Sequence, residues 1–399
     1  MSRAVMRIRY PLLFLVAALA LVSGCSEPAE PAAPIIDYEA LDSGNYPTTP
    51  RDLSALDDPK YGPLREAIRI GATVPLVFET DPRFTFQRLT GPQRRVIPGV
   101  APAVYGMEEA EFNELTTGLV AGWWTSAERR ANYFLGRSVT ADALRFGDAA
   151  AAEAAGARLA DRVVRNVASG ETVTIPNFPA ARAYFSPAKR YLDIWMPHQS
   201  MLLYVHVDDP VSEPLIADPL VEIAQRVFAA VIDGLRNYDP TPVDRIAALP
   251  ADVDGMLART LPPAKIAEAK SDTRSMLLPS RAALHYANSP ATTKSAYDDA
   301  GVDLVAASDA EVYRARDADG AARLLAALAT ELSDDGKAAP APAGMPNARC
   351  FESKDDKRAT RITPTCLLTY ERFVARVTGA NTQELHQKAA AQYKLLAAR

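Results

Sequence analysis

The sequence predicts an α+β protein made of two related units, each an antiparallel sheet covered by helices. The main observation is an internal repeat, because residues 141–235 follow the same plan as residues 311–399. In each run a strand-like segment leads into an alanine-rich helix, then into short segments rich in aromatic and β-branched residues, and then into a closing helix. We write this plan as βαββα. Helices packed on antiparallel sheets define the α+β class.

The length of the chain and a proline-rich segment near its middle also favour two units. At 399 residues the chain is long enough for two domains, and its 48% hydrophobic and 23% charged residues are ordinary for a globular protein. A proline-punctuated stretch at 236–275 supplies a boundary. We therefore expect an N-terminal α+β unit at 38–245 and a C-terminal α+β unit at 246–399.

Corresponding residues mark the helices of the two copies. Asp148 precedes the first alanine-rich helix, and Asp317 stands at the same place in the second copy. An aspartate at this position accepts a hydrogen bond from the first turn of a helix. The closing helices are predicted over Pro219–Leu235 and Thr382–Leu396, and the first of these has its apolar residues on one face.

Short apolar and aromatic segments predict the strands. In the first copy they are Val173–Ile175, Arg182–Phe185, Tyr191–Met196 and Met201–Val207. Ser280–Tyr286 is predicted to form a further strand, and Gly336–Gly344 to form a flexible loop. Trp123 and Trp124 are adjacent in an extended segment, so they should face opposite ways, with one packing on each unit. The alternative is that one of them is exposed and available for apolar or sugar contacts.

The N-terminus predicts export and lipid anchoring. Three arginines precede a short apolar run at 12–22, which is typical of a signal peptide over residues 1–24 and shorter than the ~20 residues of a membrane-spanning helix. Residues 22–25 resemble the lipobox of bacterial lipoproteins. The resemblance implies that Cys25 carries a diacylglyceryl group, usually with an acyl chain on its amine. An ordinary cleaved signal with an incidental cysteine is the alternative.

Charge and composition limit the possible partners. Removing residues 1–24 takes away three arginines and lowers the formal net charge from −5 to −8. An acidic protein is a poor candidate for nucleic acid, whose binding depends on neutralising phosphates. Attachment to the cell membrane, on its extracytoplasmic side, would therefore rest on Cys25 and on the proline-rich tether at 25–37.

Two cysteines remain beyond the anchor, and the repeat indicates a disulfide between them. Cys350 aligns with Ala183 and Cys366 aligns with Ile194, both apolar positions that should face the core from neighbouring strands. An isolated pair in an oxidising compartment is read as a disulfide. A metal site is the alternative, but two thiols alone are too few ligands.

The sequence identifies no catalytic, cofactor-binding or metal-binding residues. It contains no GxSxG, HExxH, Walker or helix-opening GxGxxG motif. His198 and His206 supply at most two ligands to an ion, and along one strand they would lie ~26 Å apart. His285, with serines nearby, is the candidate base of a dispersed hydrolase or transferase site.

Several strings together resemble a known but uncharacterised family. They are LDSGNYPTTPRDL, ADVDGMLARTLP, RAALHYANSP, EVYRARD, PNARC and AAAQYKLLA. They resemble lipoproteins of mycobacteria, nocardiae and rhodococci that carry a domain of unknown function. The repeat unit with its disulfide is also similar, at the level of fold, to the periplasmic sensor domains of mycobacterial receptor kinases, although this chain has neither a spanning helix nor a kinase.

The function that these observations favour is a non-enzymatic, sensor-like envelope module. It would bind a small molecule or an envelope protein, in a cleft between the two units, and would need no cofactor. A cell-envelope hydrolase or transferase with a site near His285 is the competing class. A purely structural spacer is the third, and the resemblance implies no activity that would decide among them.

Overall fold

The structure describes most, but not all, of the residues of both predicted units. This computed structural model describes residues 36–56, 58–87, 94–100, 105–132, 134–167, 169–263, 275–354 and 362–398. The predicted signal peptide, Cys25 and nearly all of the predicted tether lie outside these residues. Residues 37–399 form one compact unit.

The regular elements largely follow the periodic segments of the sequence. Within the described ranges the α-helices are α1 (Gly62–Gly71), α2 (Val77–Thr80), α3 (Glu109–Leu115), α4 (Ala149–Asn166), α5 (Asp218–Leu235), α6 (Ser280–Leu284), α7 (Pro290–Ala300), α8 (Ala318–Asp335) and α9 (Thr382–Ala397). The β-strands are β1 (Phe86–Gln87), β2 (Arg95–Val96), β3 (Leu119–Glu128), β4 (Ser138–Phe146), β5 (Glu171–Val173), β6 (Arg182–Ser186), β7 (Tyr191–His198), β8 (Met201–Asp208), β9 (Met276–Pro279), β10 (Leu304–Ala307), β11 (Ala310–Arg314), β12 (Gly336–Ala339), β13 (Arg349–Ser353), β14 (Thr365–Tyr370) and β15 (Phe373–Thr378).

The strands form two antiparallel sheets, one in each half of the chain. The N-terminal sheet has the order β1-β3-β4-β8-β7-β6-β5, with β2 also pairing with β3. The C-terminal sheet has the order β9-β10-β11-β15-β14-β13-β12, which is the same order for the corresponding strands. The predicted α+β class and the internal repeat are therefore confirmed. Four strands, rather than the two of the βαββα plan, separate the helices of each repeat.

The two aspartates that open the repeat helices act as predicted. Asp148 Oδ1 accepts a hydrogen bond of 2.8 Å from the amide of Ala151, and Asp317 Oδ1 accepts one of 2.7 Å from the amide of Gly320. Each bond satisfies a backbone donor that has no partner inside the helix. The caps start α4 and α8 at the same point of each repeat, so the two helices present equivalent positions to their sheets.

The core is shared between the two halves. One hydrophobic cluster contains Trp123 and Phe228 from the N-terminal half together with Leu278, Leu324 and Leu367 from the C-terminal half. A buried side chain of this size contributes roughly 1.5–3 kcal/mol to folding. A second cluster lies beneath α4, on the opposite face of the N-terminal sheet. None of the helices within the described ranges combines the length and hydropathy that crossing a bilayer requires.

The repeat also places the cysteines. Cys350 on β13 lies directly opposite Cys366 on β14, and the two are joined by a disulfide. Ala183 on β6 lies opposite Ile194 on β7 in the same way. The alignment made from the sequence therefore matches the pairing of the strands, because equivalent residues face each other in both sheets.

Two short segments differ from their predicted structure. The segment Gly336–Gly344 begins with the strand β12, which pairs with β13 as β5 pairs with β6. The small residues of β12 have little intrinsic strand propensity, so β12 forms because it pairs with β13. The segment Ser280–Tyr286 begins with the helix α6, because the strand β9 ends before it, at Pro279.

The repeat suggests a test of the disulfide. The double variant Cys350→Ala, Cys366→Ile carries the residue pair of the other repeat, so we expect it to fold. The closed loop spans a sequence separation of 16, and its loss should lower the free energy of unfolding by about 3 kcal/mol in the chain-entropy view. Urea unfolding of residues 37–399 measures this. Reduced wild type is the control and should match the variant, whereas equal stability of oxidised and reduced wild type would contradict the expectation.

Candidate functional site: a cavity in the C-terminal half

A cavity of about 630 Å³ lies between the C-terminal sheet and helices α7 and α8. Its floor consists of two cross-strand rows, Leu278–Val305–Tyr313 and Met276–Ala307–Glu311–Arg376. Its roof consists of Leu328 and Glu331 on α8 with Thr293 and Tyr297 on α7. Side chains on one face of a strand recur every second residue, which is why these rows face the same space.

One end of the cavity is charged. Arg376 lies opposite Glu311 in the pairing of β11 with β15, and its Nη1 is 3.8 Å from Glu311 Oε2. The Tyr313 hydroxyl donates a hydrogen bond to the same carboxylate. Burial lowers the pKa of Arg376, but Glu311 and Tyr313 raise it more, to above its ordinary value. The guanidinium therefore stays charged beside its partner.

Two further polar side chains border the charged end. Glu331 on α8 and Tyr297 on α7 both line the cavity and both interact electrostatically with Glu311. Burial raises the pKa of Glu331, Arg376 lowers it, and Glu311 raises it again. Tyr297 is only 5% exposed. Within the described part of the chain, neither side chain has a hydrogen-bond partner.

A smaller cavity of about 200 Å³ lies beside the first. Arg95 of β2 and Met276 of β9 line both cavities. The other walls of the smaller cavity are mostly apolar and include Leu56, Leu64, Ile68, Leu257, Leu277 and Leu304. Apolar space therefore continues from the C-terminal sheet towards α1.

The equivalent place in the N-terminal half is filled by aromatic side chains. The row Trp124–Asp142–Tyr204–Trp195 of the N-terminal sheet corresponds to the row Ala307–Glu311–Arg376–Leu367 of the C-terminal sheet. The residue numbering supports this correspondence. Asp142 lies six residues before the helix cap Asp148, and Glu311 lies six residues before the helix cap Asp317. Two indoles therefore occupy the positions of Ala307 and Leu367.

Tyr105 completes this filling. Its ring centroid lies 5.3 Å from that of Trp195 and 5.1 Å from that of Tyr204, which stack on each other at 4.0 Å. The space that remains is about 150 Å³ and is bordered by Leu159 and Arg162 of α4. These two residues stand at the positions of Leu328 and Glu331 on α8. One fold thus encloses a cavity in one half and fills it in the other.

The polar groups of the filled half are paired with one another by hydrogen bonds and ion pairs. The Tyr105 hydroxyl donates to Asp142, and the Tyr204 hydroxyl donates to Asp193 Oδ1 at 2.6 Å. His206 contacts Asp193 at 2.7 Å and Asp208 at 3.1 Å. Burial lowers the pKa of His206, but these two carboxylates raise it more, to about 10. Burial raises the pKa of Asp142 to about 7.

The sequence analysis singled out none of the residues that line the larger cavity as a ligand site, and it considered His206 of the filled half only as a metal ligand. Their signal is weak but present, because polar residues alternate with apolar ones in TADAL, YLDIW and YVHV. Such alternation indicates that one strand face carries polar groups. It does not reveal that a helix covers this face, and the burial of Asp142 and Asp193 depends on that helix.

His285 lies in the core where the two halves meet. It is 0% exposed, its Nδ1 is 2.9 Å from Thr125 Oγ1, and its Nε2 is 3.3 Å from the carbonyl oxygen of Val74. Burial and the nearby arginines lower its pKa to about 3. A neutral, enclosed imidazole with both nitrogens engaged is a packing residue. The structure therefore places no open cleft at His285.

The other residues considered from the sequence lie apart from the cavity lining. Trp123 and Trp124 face opposite sides of β3, with Trp123 5.5 Å from the ring of His285 and Trp124 4.2 Å from the guanidinium of Arg94. His198 is on β7, opposite Met201. Among the described residues there is no group of three or more His, Cys, Asp or Glu side chains placed to hold a metal ion.

The buried carboxyl of Asp142 predicts a pH dependence of stability. Its pKa is about 7 in the folded protein and ~3.9 when unfolded, so the folded state binds the proton more tightly. The free energy of unfolding should therefore fall as the pH rises from about 4 to about 7, by up to about 4 kcal/mol. Asp142→Asn should lack this fall, as measured by urea unfolding across that range.

The control for this prediction is Asp161→Asn, which changes an exposed aspartate on α4. His206 should cause a further loss of stability between pH 6.5 and about 10 in all three proteins. Because its charge also lowers the pKa of Asp142, the comparison relies mainly on the range below pH 6.5. A stability difference between wild type and Asp142→Asn that stays constant from pH 4 to pH 8 would contradict the expected shift.

Comparisons with known proteins place the chain in a family. No curated protein matches it. Among solved structures, the extracellular domain of PknH from Mycobacterium tuberculosis is similar, with 13% identity, a TM-score of 0.30, and coverage of 42% of this chain and 96% of that chain. Residues 53–251 match the N-terminal domain of unknown function DUF7373, and residues 256–399 match its C-terminal domain. The chain therefore belongs to the DUF7373 family.

Proposed function

We propose that this protein binds a small amphiphilic molecule in the C-terminal cavity, as a lipid-anchored envelope protein that catalyses no reaction. The observation that carries the proposal is the difference between the two halves. The same row of the sheet holds two indoles in one half and the smaller Ala307 and Leu367 in the other. The fold therefore does not require an open space at this place.

The size and lining of the cavity support small-molecule binding. A volume of about 630 Å³ lies within the 300–1,000 Å³ that is usual for ligand sites. Its walls combine apolar side chains with a few polar groups at one end, which is the common composition of such sites. A ligand that fits this space would gain van der Waals contacts with its apolar walls.

The hydroxyl groups of the cavity favour binding over catalysis. The Ser308 hydroxyl is 2.8 Å from that of Ser275, and Thr293 Oγ1 donates to the carbonyl oxygen of Ser289 at 3.1 Å. Neither hydroxyl is paired with a general base, which nucleophilic catalysis needs. The carboxylate of Glu311 is held by Arg376 and Tyr313.

The proposed location rests on the sequence. A signal peptide at 1–24, the lipobox-like residues before Cys25 and a proline-rich tether at 25–37 support a membrane-anchored body outside the cytoplasm. The resemblance to lipoproteins of mycobacteria, nocardiae and rhodococci, and to sensor domains of receptor kinases, suggests that the bound molecule comes from the envelope.

Filling the cavity tests the site. Ala307→Trp places on the C-terminal floor the residue that the N-terminal half carries at this position. We expect it to weaken binding of the neutral fluorescent probe N-phenyl-1-naphthylamine by about tenfold or more, because the indole takes up the space of the probe. Fluorescence titration of residues 37–399 measures the Kd, and Ala307→Leu should show a smaller effect.

The matched control is Ala338→Trp, on an exposed position of β12 in the same sheet. It should bind the probe like wild type. Thermal unfolding of each variant shows that it is folded. Unchanged probe binding in a folded Ala307→Trp variant, or no binding to wild type, would count against the cavity as a ligand site.

Replacing the proposed lipid attachment site tests the location. In an actinobacterial host, Cys25→Ala should move the protein from the membrane fraction to the soluble or secreted fraction, because the acyl chains supply its membrane affinity. Immunoblotting of the fractions measures this, with Ser26→Ala as the control. An unchanged membrane fraction for Cys25→Ala would show that another element holds the protein at the membrane.

A further inference from the structure

The charged end of the cavity contains more acidic than basic groups. Glu311 and Glu331 lie there beside the guanidinium of Arg376. Arg95, the other basic residue of the lining, lies at the border with the smaller cavity. Arg376 is paired with Glu311, at 3.8 Å. Glu331 receives no hydrogen bond from the described residues. Glu331 is half-buried, and carboxylate oxygens accept hydrogen bonds and attract cations.

The hydroxyl of Tyr297 provides a second, independent observation. This side chain is 5% exposed, lines the cavity, and has no hydrogen-bond partner among the described residues. A tyrosine hydroxyl that lines a cavity can take its partner from a ligand. A phenol oxygen can donate or accept, so it can complete the coordination of a group that donates several hydrogen bonds.

The N-terminal half shows how such a site looks when the chain supplies the partners. Arg162, at the position of Glu331, makes two bonds to Glu111 of 2.5 and 2.9 Å. Asp142, at the position of Glu311, accepts the hydroxyl of Tyr105. Both partners come from the segment that contains α3. In the C-terminal half, α7 packs against α8 as α3 packs against α4. The α7 residue that interacts with Glu331 is the neutral Tyr297 rather than a cation.

We infer that the cavity recognises an amphiphile with a primary ammonium group, which lies between Glu331, Glu311 and Tyr297 while its apolar part covers Met276, Leu278 and Val305. The inference rests on the proposed function and names the class of ligand. An ammonium has three N–H donors and one positive charge, which matches the unpartnered acceptors and the excess acidic group. An anionic head group at this end would be repelled by two carboxylates.

Three probes that differ only in the head group test the inference. Octylammonium, octan-1-ol and octanoate share one apolar chain, and isothermal titration calorimetry at pH 7.5 with residues 37–399 gives their Kd values. We expect octylammonium to bind about tenfold or more tightly than octan-1-ol, and octanoate to bind least tightly, because charge-assisted hydrogen bonds are stronger than neutral ones.

Glu331→Gln isolates the head-group contact. It keeps the size of the side chain and removes its charge, so octylammonium should lose about tenfold in affinity while octan-1-ol should be unaffected. Glu153→Gln, an exposed glutamate on α4, is the matched control and should bind all three probes like wild type.

The outcomes separate the ammonium inference from the proposed binding function. A preference for octanoate or octan-1-ol that is lost in Ala307→Trp would overturn the ammonium inference and leave the binding function standing. Equal loss of all three probes in Glu331→Gln would show a structural role for Glu331 and would also overturn the inference. No binding of any probe up to its solubility limit would overturn both proposals.

Discussion

The register between β11 and β15 is the constraint on which the site depends. It places Glu311 opposite Arg376, and because side chains alternate between the faces of a strand, both then lie beneath α8. A slip of one residue would turn the whole row to the other face of the sheet. The cap at Asp317 sets the start of α8, and residues three apart on a helix share a face, so Leu328 and Glu331 meet that row together.

The corresponding acidic groups of the two halves have different surroundings. In the N-terminal half Asp142 is enclosed by aromatic rings, and burial in a medium of low dielectric constant favours its protonated form. In the C-terminal half Glu311 pairs with Arg376 at 3.8 Å, and its side chain is 41% exposed. The filled half gains stability from packing. The open half retains charge and space, which are the properties that ligand recognition requires.

The junction of the halves is built like a protein interior. Arg94 lies over the ring of Trp124 at 4.2 Å, and its Nε donates to the carbonyl oxygen of His285 at 3.0 Å. Burial lowers the pKa of Arg94 to about 10, which still leaves it charged at neutral pH. A cation buried this deeply is tolerated because its donors have acceptors and an aromatic face beside it. The site considered near His285 is therefore packed. The larger cavity lies within the C-terminal half with Arg95 at its border, and the smaller cavity is lined from both halves.

The sequence by itself determined the α+β class, the internal repeat and the helix caps at Asp148 and Asp317. Local signals specify these features, namely periodicity, capping residues and the spacing of the copies. The alignment of Cys350 with Ala183 also predicted which residues face each other across the strands. Only the tertiary structure decided where a space remains, because a cavity depends on side chains from β9, β11, β15, α7 and α8 that are far apart in the chain. It likewise decided that His285 is a core residue, since burial is a property of the surroundings that local sequence does not encode.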